Sequence, residues 1–177
     1  MTKLDLKIVE DYPKPGVRFI DINPLLQNPK QFTALIKKGC DTIKNSLPAE
    51  VLSQSAIVAP EARGFLLGAP IAYALGRPLI LIRKEGKIPN RPLSFHITNE
   101  YTSYNMEVDS ELLAKHSHYI YIDDILATGQ TLTAVRQSLA NQKKEIVLAL
   151  HLTAVDALQE ARDKNKGLCG LPIKNLI

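Results

Sequence analysis

Tyr119-Ile120-Tyr121-Ile122-Asp123-Asp124-Ile125-Leu126-Ala127-Thr128-Gly129-Gln130-Thr131 is the stretch on which the fold turns. An apolar run of strand length ends in two adjacent carboxylates. A short loop of small and hydroxyl-bearing residues then opens a helical pattern from Thr131 to about Asn141. Small side chains let backbone N–H groups close around an anion, and the start of a helix adds a favourable dipole. The hydroxyls of Thr128 and Thr131 add donors. Two acids beside such a cradle would repel phosphate alone, but they suit a ligand that also presents sugar hydroxyls or Mg²⁺. The residues point to a sugar phosphate, and by themselves they also fit an N-capped turn with solvated acids. No Gly-x-x-x-x-Gly-Lys-Ser/Thr is present, so this is not a Walker-type loop.

Outward from this stretch, strands and helices alternate. Gln31 to Leu47 carries Phe32, Leu35, Ile36, Cys40, Ile43 and Leu47 on one helical face, with Asn28 as its cap and Pro29 in its first turn. Ser55 to Ala59 is a short apolar strand. Gly64 to Leu75 is an apolar helix stopped by Gly76, and Leu79 to Ile82 is a buried strand. Arg83 to Thr98 holds Gly86, Pro89, Pro92 and four cations (Arg83, Lys84, Lys87, Arg91), and reads as a long polar loop, functional or disordered, whose charges by themselves also fit a solvated surface. Extended structure is expected within Glu100 to Val108. The strand His118 to Ile122 ends at the paired acids. Glu145 to Leu152 is another strand, Val155 to Lys164 a helix, and the tail from Pro172 an edge strand. The pattern predicts an α/β fold with a mostly parallel sheet. The loops after its strands (Glu61 to Gly64, Arg83 to Thr98, Asp123 to Thr131) should then gather at the carboxyl edge, where ligands bind.

Composition narrows the function class. The chain has 177 residues, 45% hydrophobic and 23% charged, which suits one packed domain and excludes disorder. No apolar run reaches the roughly 18 residues of a membrane span, and the first residues lack the apolar core of a secretory signal, so a cytoplasmic protein is expected. Cys40 and Cys169 have no metal-like spacing and read as reduced structural thiols. His96, His116, His118 and His151 are scattered, so no direct protein metal site is expected. The net charge of +4 is spread along the chain. It suits a phosphate-rich small substrate better than a nucleic acid.

Asp123 to Thr131 resembles the phosphoribosyl pyrophosphate (PRPP) motif of type I phosphoribosyltransferases. Three other segments agree, in the same order as in that family. Tyr12-Pro13-Lys14-Pro15-Gly16, with Phe19, Asp21 and Pro24-Leu25-Leu26, resembles the start of its purine-specific, adenine-using branch. Glu61-Ala62-Arg63-Gly64-Phe65 resembles its pyrophosphate loop. Arg83-Lys84-Glu85-Gly86-Lys87-Ile88-Pro89, with Glu100-Tyr101, resembles its mobile catalytic loop. The likeness runs from about residue 12 to 155. The chain departs from the pattern at Ile20, where Arg is usual, at Glu85, at Thr102 and at Gln130, where Gly is usual.

The resemblance implies a single type I phosphoribosyltransferase domain over 1–177, a mostly parallel twisted sheet flanked by helices, with a small base-binding hood over about 1–28. It implies that Asp123 and Asp124 hold the ribose hydroxyls, with Mg²⁺ nearby through PRPP, and that Ala127, Thr128, Gly129, Gln130 and Thr131 hold the 5′-phosphate. Ala62, Arg63, Arg83, Lys84 and Lys87 would take pyrophosphate, with a cis peptide at Glu61–Ala62. Lys84 and Lys87 would also act in catalysis, with Glu100 as acid/base at the purine and Tyr101 closing over the pyrophosphate. Main-chain groups of Arg18 and Ile20, with Phe19 and Leu152, would meet the base. The implied reaction is purine salvage in a homodimer, adenine and PRPP giving AMP and pyrophosphate. Hypoxanthine, guanine or xanthine stays open as the base because of Arg18, Ile20 and Gln130, and a non-catalytic PRPP-sensing module remains a further alternative.

Overall fold

The computed structural model describes residues 4, 6–12, 14–98 and 103–177. The chain begins with a small antiparallel pair, β1 (Lys7–Val9) and β2 (Phe19–Asp21), in which Ile8 faces Ile20. Helices α1 (Asn23–Gln27), α2 (Pro29–Ser46) and α3 (Ala49–Gln54) follow. The Asn28 side chain accepts from the N–H groups of Lys30 and Gln31, and Pro29 sits in the first turn of α2, as the sequence predicts. Such a cap stabilises a helix by about 1 kcal/mol. Leu35, Cys40 and Ile43 are the buried face of α2.

The main sheet is built from β3 (Ser55–Pro60), β4 (Leu79–Lys84), β5 (Pro92–Thr98), β6 (Ser103–Asp109), β7 (His118–Leu126), β8 (Glu145–Ala154) and β9 (Ile173–Asn175). Their order is β5-β6-β4-β3-β7-β8-β9. The run from β4 to β9 is parallel, and β6 joins β4 antiparallel. The crossover helices are α4 (Arg63–Leu75) between β3 and β4, and α6 (Gln130–Asn141) between β7 and β8. The short helices α5 (Ser110–Ala114) and α7 (Gln159–Asp163) precede β7 and follow β8.

Strand β7 is central and covered on both faces, which is why it reads as a continuous apolar run. Tyr119 and Tyr121 point to the α6 side, with Ala149, Val135 and Leu139. Ile120 and Ile122 point to the α2–α4 side, with Leu35, Ile71, Leu148 and Leu150. The α4 layer approaches closely: a Cβ on Gly68 would stand 2.7 Å from Ala59 Cβ.

Three expectations need correction. The strand holding the acids does not stop at Ile122 but runs through both carboxylates to Leu126. The stretch Arg83 to Thr98 is not one long loop. Strand β4 continues to Lys84, a turn follows at Glu85–Gly86 with Gly86 at φ +77°, and β5 starts at Pro92. Its Leu93, Phe95 and Ile97 turn inward while Ser94, His96 and Thr98 face out, a period-two pattern masked by the prolines and cations before it. The expected helix from Val155 to Lys164 begins as a 3₁₀ turn at Asp156–Leu158 and is regular only over α7.

Candidate active site

Parallel pairing puts the carboxyl ends of β3, β4, β7 and β8 on one edge, and side-chain contacts join the loops there. Alternation along β7 sends the two acids to opposite faces. Asp123 shares the α6 side with Tyr121, whose hydroxyl donates to Asp123 Oδ2 at 3.0 Å, and its Oδ1 accepts from the Asp124 N–H at 2.9 Å. Asp124 points to the α4 side, where Arg63 Nε lies 2.7 Å from its Oδ2. The Arg63 N–H is not aligned on that oxygen, so the contact is a charge pair, and among the described residues Oδ2 has no hydrogen-bond donor.

These placements set the electrostatics. Burial, and then the neighbouring charge of Asp124, raises the Asp123 carboxyl far above the usual carboxylate range. Burial raises Asp124 as well, and the Arg63 guanidinium opposes that shift. Two carboxyls this close resist ionising together, and a ligand bringing cations or hydrogen-bond donors would relieve them.

The loop after β7 encloses a cavity of about 100 Å³, lined by residues 125–132 with Tyr121, Asp123 and His151. Gly129, at φ +79°, precedes the first turn of α6. A Cβ there would stand 2.6 Å from Leu168 Cδ1, so conformation and space both ask for glycine. Ala127 and Gln130 are exposed, Thr128 and Thr131 half-buried.

Across the cleft, the peptide Glu61–Ala62 is cis, as the resemblance implies. Ala62 is exposed, and Arg63 begins α4. Gly64 is required by close approach: a Cβ would stand 2.7 Å from Pro60 Cδ and 3.0 Å from the Ile122 carbonyl oxygen. Glu61 Oε2 accepts from the Lys84 N–H at 3.0 Å and pairs with Arg83 at 3.4 Å, tying this loop to the end of β4. The Lys84 N–H, and to a smaller degree Arg83, hold the Glu61 carboxyl below its ordinary value. The side chains of Lys84 and Lys87 are exposed to solvent.

In the N-terminal pair, Phe19 lies under Arg63, whose guanidinium carbon is 5.8 Å from the ring centroid, and Tyr12 meets the ring edge-on at 5.2 Å. Arg18 is turned to Glu10, Nε to Oε1 3.0 Å, with both side chains exposed. Ile20 is half-buried. Leu152 is fully buried in the α2–α4 core with Ile22 and Leu25, and gives no surface to the cleft. Glu100 and Tyr101 lie outside the described residues.

Three further groups at this site carry no sequence signal that singles them out. His151 is 1% exposed, with its ring 5.7 Å from Tyr121 and its Nδ1 without a partner among the described residues. Burial, and then the Arg162 charge, push it down to about 3, so it is neutral. Arg162 and Asn165 bond to the back of the loop, 35 and 37 residues away along the chain.

Residues 26–170 match the family model described as the phosphoribosyl transferase domain. An adenine phosphoribosyltransferase of Desulforamulus reducens is 36% identical over 159 residues, covering 90% of this chain and 88% of that one. The chain belongs to the adenine phosphoribosyltransferase family. Solved members share its shape. The adenine phosphoribosyltransferase of Saccharomyces cerevisiae, complexed with adenine and an imino-altritol bisphosphate, superposes with TM-score 0.86 at 28% identity, covering 97% of this chain and 94% of that one. That of Thermoanaerobacter pseudethanolicus gives TM-score 0.80 at 32% identity and the same coverage. The fold is therefore that of type I phosphoribosyltransferases, as the adenine phosphoribosyltransferase motifs implied.

Proposed function

We propose that the protein transfers the 5-phosphoribosyl group of PRPP to adenine, giving AMP and pyrophosphate in purine salvage. The observation that carries this reading is the Arg63–Asp124 pair with Phe19 across it. It sets a cation for a leaving pyrophosphate, an acid for ribose hydroxyls and an aromatic face for a base around one cleft.

In this reading the reaction displaces pyrophosphate from C1′ with positive charge developing on the ribose and negative charge on the leaving group. The N–H groups of the loop from Ala127 to Thr131 hold the 5′-phosphate, and Asp123 and Asp124 accept from the ribose hydroxyls. Arg63, Arg83, Lys84, Lys87 and the backbone at Ala62 neutralise and hold the pyrophosphate, the largest electrostatic demand of the reaction. The purine rests by Phe19, with the main chain of Arg18 and Ile20 at its edge and Leu152 supporting from the core. Glu100 exchanges the proton at the purine and Tyr101 shields the pyrophosphate.

The paired carboxylates, one with an orphaned oxygen, suit Mg²⁺ carried in on PRPP. Among the described residues no group of three or more His, Cys, Asp or Glu side chains could cage a metal. Asp123 and Asp124 would hold the ion chiefly through the ligand's hydroxyls, and the ion would supply charge neutralisation on the diphosphate.

Among the described residues no helix is long and apolar enough to cross a membrane. A cytoplasmic, single-domain protein acting as a homodimer completes the reading. Leu66 and Tyr73 on α4, 42% and 91% exposed, offer apolar surface to a second copy. Light scattering on a size-exclusion column tests the dimer. The function is tested by incubating the protein with PRPP, Mg²⁺ and each of adenine, hypoxanthine, guanine and xanthine. AMP from adenine alone is expected. Product from a 6-oxo purine would keep the reaction and move the specificity, and no product from any base would sink the catalytic reading.

A further inference from the structure

In the loop that follows β7, four successive carbonyls are engaged by donors from residues that do not line the cavity. Leu126 O accepts from Val155 N–H at 2.9 Å and from Arg162 Nη1 at 3.3 Å. Ala127 O accepts from Arg162 Nη1 at 2.9 Å, and Thr128 O from Asn165 Nδ2 at 3.2 Å. Gly129 O accepts from the Thr133 N–H at 2.9 Å.

In a trans peptide the carbonyl of one residue and the N–H of the next point in opposite directions. Holding the carbonyls of 126–129 to the rear therefore turns the N–H groups of Ala127, Thr128, Gly129 and Gln130 to the front. There the cavity lined by residues 125–132 opens. Loop sequence alone does not enforce this, because small residues leave each peptide free to flip.

Arg162 and Asn165 are themselves tightly held. Arg162 is 7% exposed, with Nη1 also on Val155 O at 2.7 Å and Nη2 on Gln159 Oε1 at 2.7 Å. Asn165 Oδ1 accepts from Thr133 Oγ1 and from the Gly167 N–H, both at 3.1 Å, which fixes its amide with Nδ2 toward Thr128.

We propose that Arg162 and Asn165 are positioning residues that hold the loop's peptides in the orientation that binds the 5′-phosphate. The inference rests on the reading of this cavity as the sugar-phosphate site. Neither side chain touches the ligand, and both act by keeping donors aimed at it. A guanidinium suits the task because Nη1 reaches the carbonyls while Nη2 is anchored on Gln159 Oε1, and an ammonium has no second nitrogen to hold it in place.

The test measures two affinities by calorimetry, ribose 5-phosphate for the cavity and magnesium pyrophosphate for the Arg63 side, in the wild type and in Arg162→Lys, Arg162→Gln and Asn165→Ala. Thermal melts confirm that each variant is folded. In the variants ribose 5-phosphate should bind about 10- to 100-fold more weakly, in line with the cost of misplaced binding groups, while pyrophosphate affinity stays within about twofold. Arg162→Lys should recover little, because it restores the charge and not the second nitrogen that anchors the group on Gln159. Full recovery by lysine, equal weakening of both ligands, or unchanged ribose 5-phosphate affinity in folded Asn165→Ala would each overturn the proposal. A wild type that binds pyrophosphate and not ribose 5-phosphate would overturn the reading of the cavity itself, and the proposal with it.

Discussion

Gly64→Ala places one methyl where α4 meets the sheet. The new Cβ would stand 2.7 Å from Pro60 Cδ, 3.1 Å from Pro60 Cγ and 3.0 Å from the Ile122 carbonyl oxygen. A proline ring and a central-strand carbonyl cannot rotate aside, so the start of α4 must lift. Overpacking of this kind costs about 1–3 kcal/mol. For a chain of this size that lowers Tm by about 2–12 °C. Arg63 is the preceding residue, so the same displacement moves its guanidinium from Asp124, now 2.7 Å away. Misplacement by about 1 Å can cost about 100-fold in rate, and a shift of a few tenths should lower kcat/KM about 3- to 30-fold. Gly68→Ala is the matched control. Its Cβ would stand 2.7 Å from Ala59 Cβ, a comparable clash one turn further along the same helix and away from the cleft. Melting curves and steady-state rates with adenine and PRPP should show both variants destabilised and only Gly64→Ala impaired beyond its loss of folded protein. Equal impairment of both, or native Tm and activity in Gly64→Ala, would refute the argument that this glycine sets the position of Arg63.

Two other perturbations follow from the same geometry, and a third from the family resemblance. Burial, and then Asp124, hold the folded Asp123 carboxyl above its unfolded value, which lies near pH ~4. Above that pH the folded chain keeps a proton that the unfolded chain has lost, so this stabilisation is complete below about pH 4 and is lost as pH rises through the raised folded value. Asp123→Asn should flatten that part of the Tm–pH profile, and an offset from wild type that is the same at every pH would contradict the shift. Arg63→Met strips Asp124, whose side chain is 4% exposed, of its cation. Because Arg63 is 41% exposed and partly screened, the expected cost is about 1–2 kcal/mol, below the roughly 3–5 of a fully buried pair. Pyrophosphate affinity should fall with it, and adding Asp124→Asn should restore the melting temperature but not the affinity. Glu100→Ala should lower turnover with adenine far more than it weakens PRPP binding by calorimetry, and parallel losses would remove Glu100 from the acid/base role.

The parts of the fold legible in the sequence are those with a local cause. The apolar runs at β3, β4 and β7 are long enough to mark buried strands, and the periodic faces of α2 and α6, with Asn28 and Gly76 at helix ends, mark helices. The loop after β7 was visible because small residues, hydroxyls and paired acids stand together. What depends on distant pairing was not. Three-residue strands such as β1 and β2 carry no periodicity of their own, and β5 hides its alternation of Leu93, Phe95 and Ile97 behind a cationic, proline-rich approach. Arg162 looks in sequence like one more surface cation on a charged helix. Only the return of the chain after β8 buries it against Leu126 and Ala127. The alternation of β7 also separates two acids that read as one motif, giving Asp123 to Tyr121 and Asp124 to Arg63.

The central claim is that the loop from Ala127 to Thr131 cradles a 5′-phosphate while the base lies by Phe19. A crystal structure with AMP bound tests it most directly. Phosphate oxygens are expected about 3 Å from the loop's N–H groups, with ribose hydroxyls on Asp123 and Asp124 and the adenine ring against Phe19. A phosphate seated elsewhere with those N–H groups still facing solvent, or a base bound away from Phe19, would contradict it.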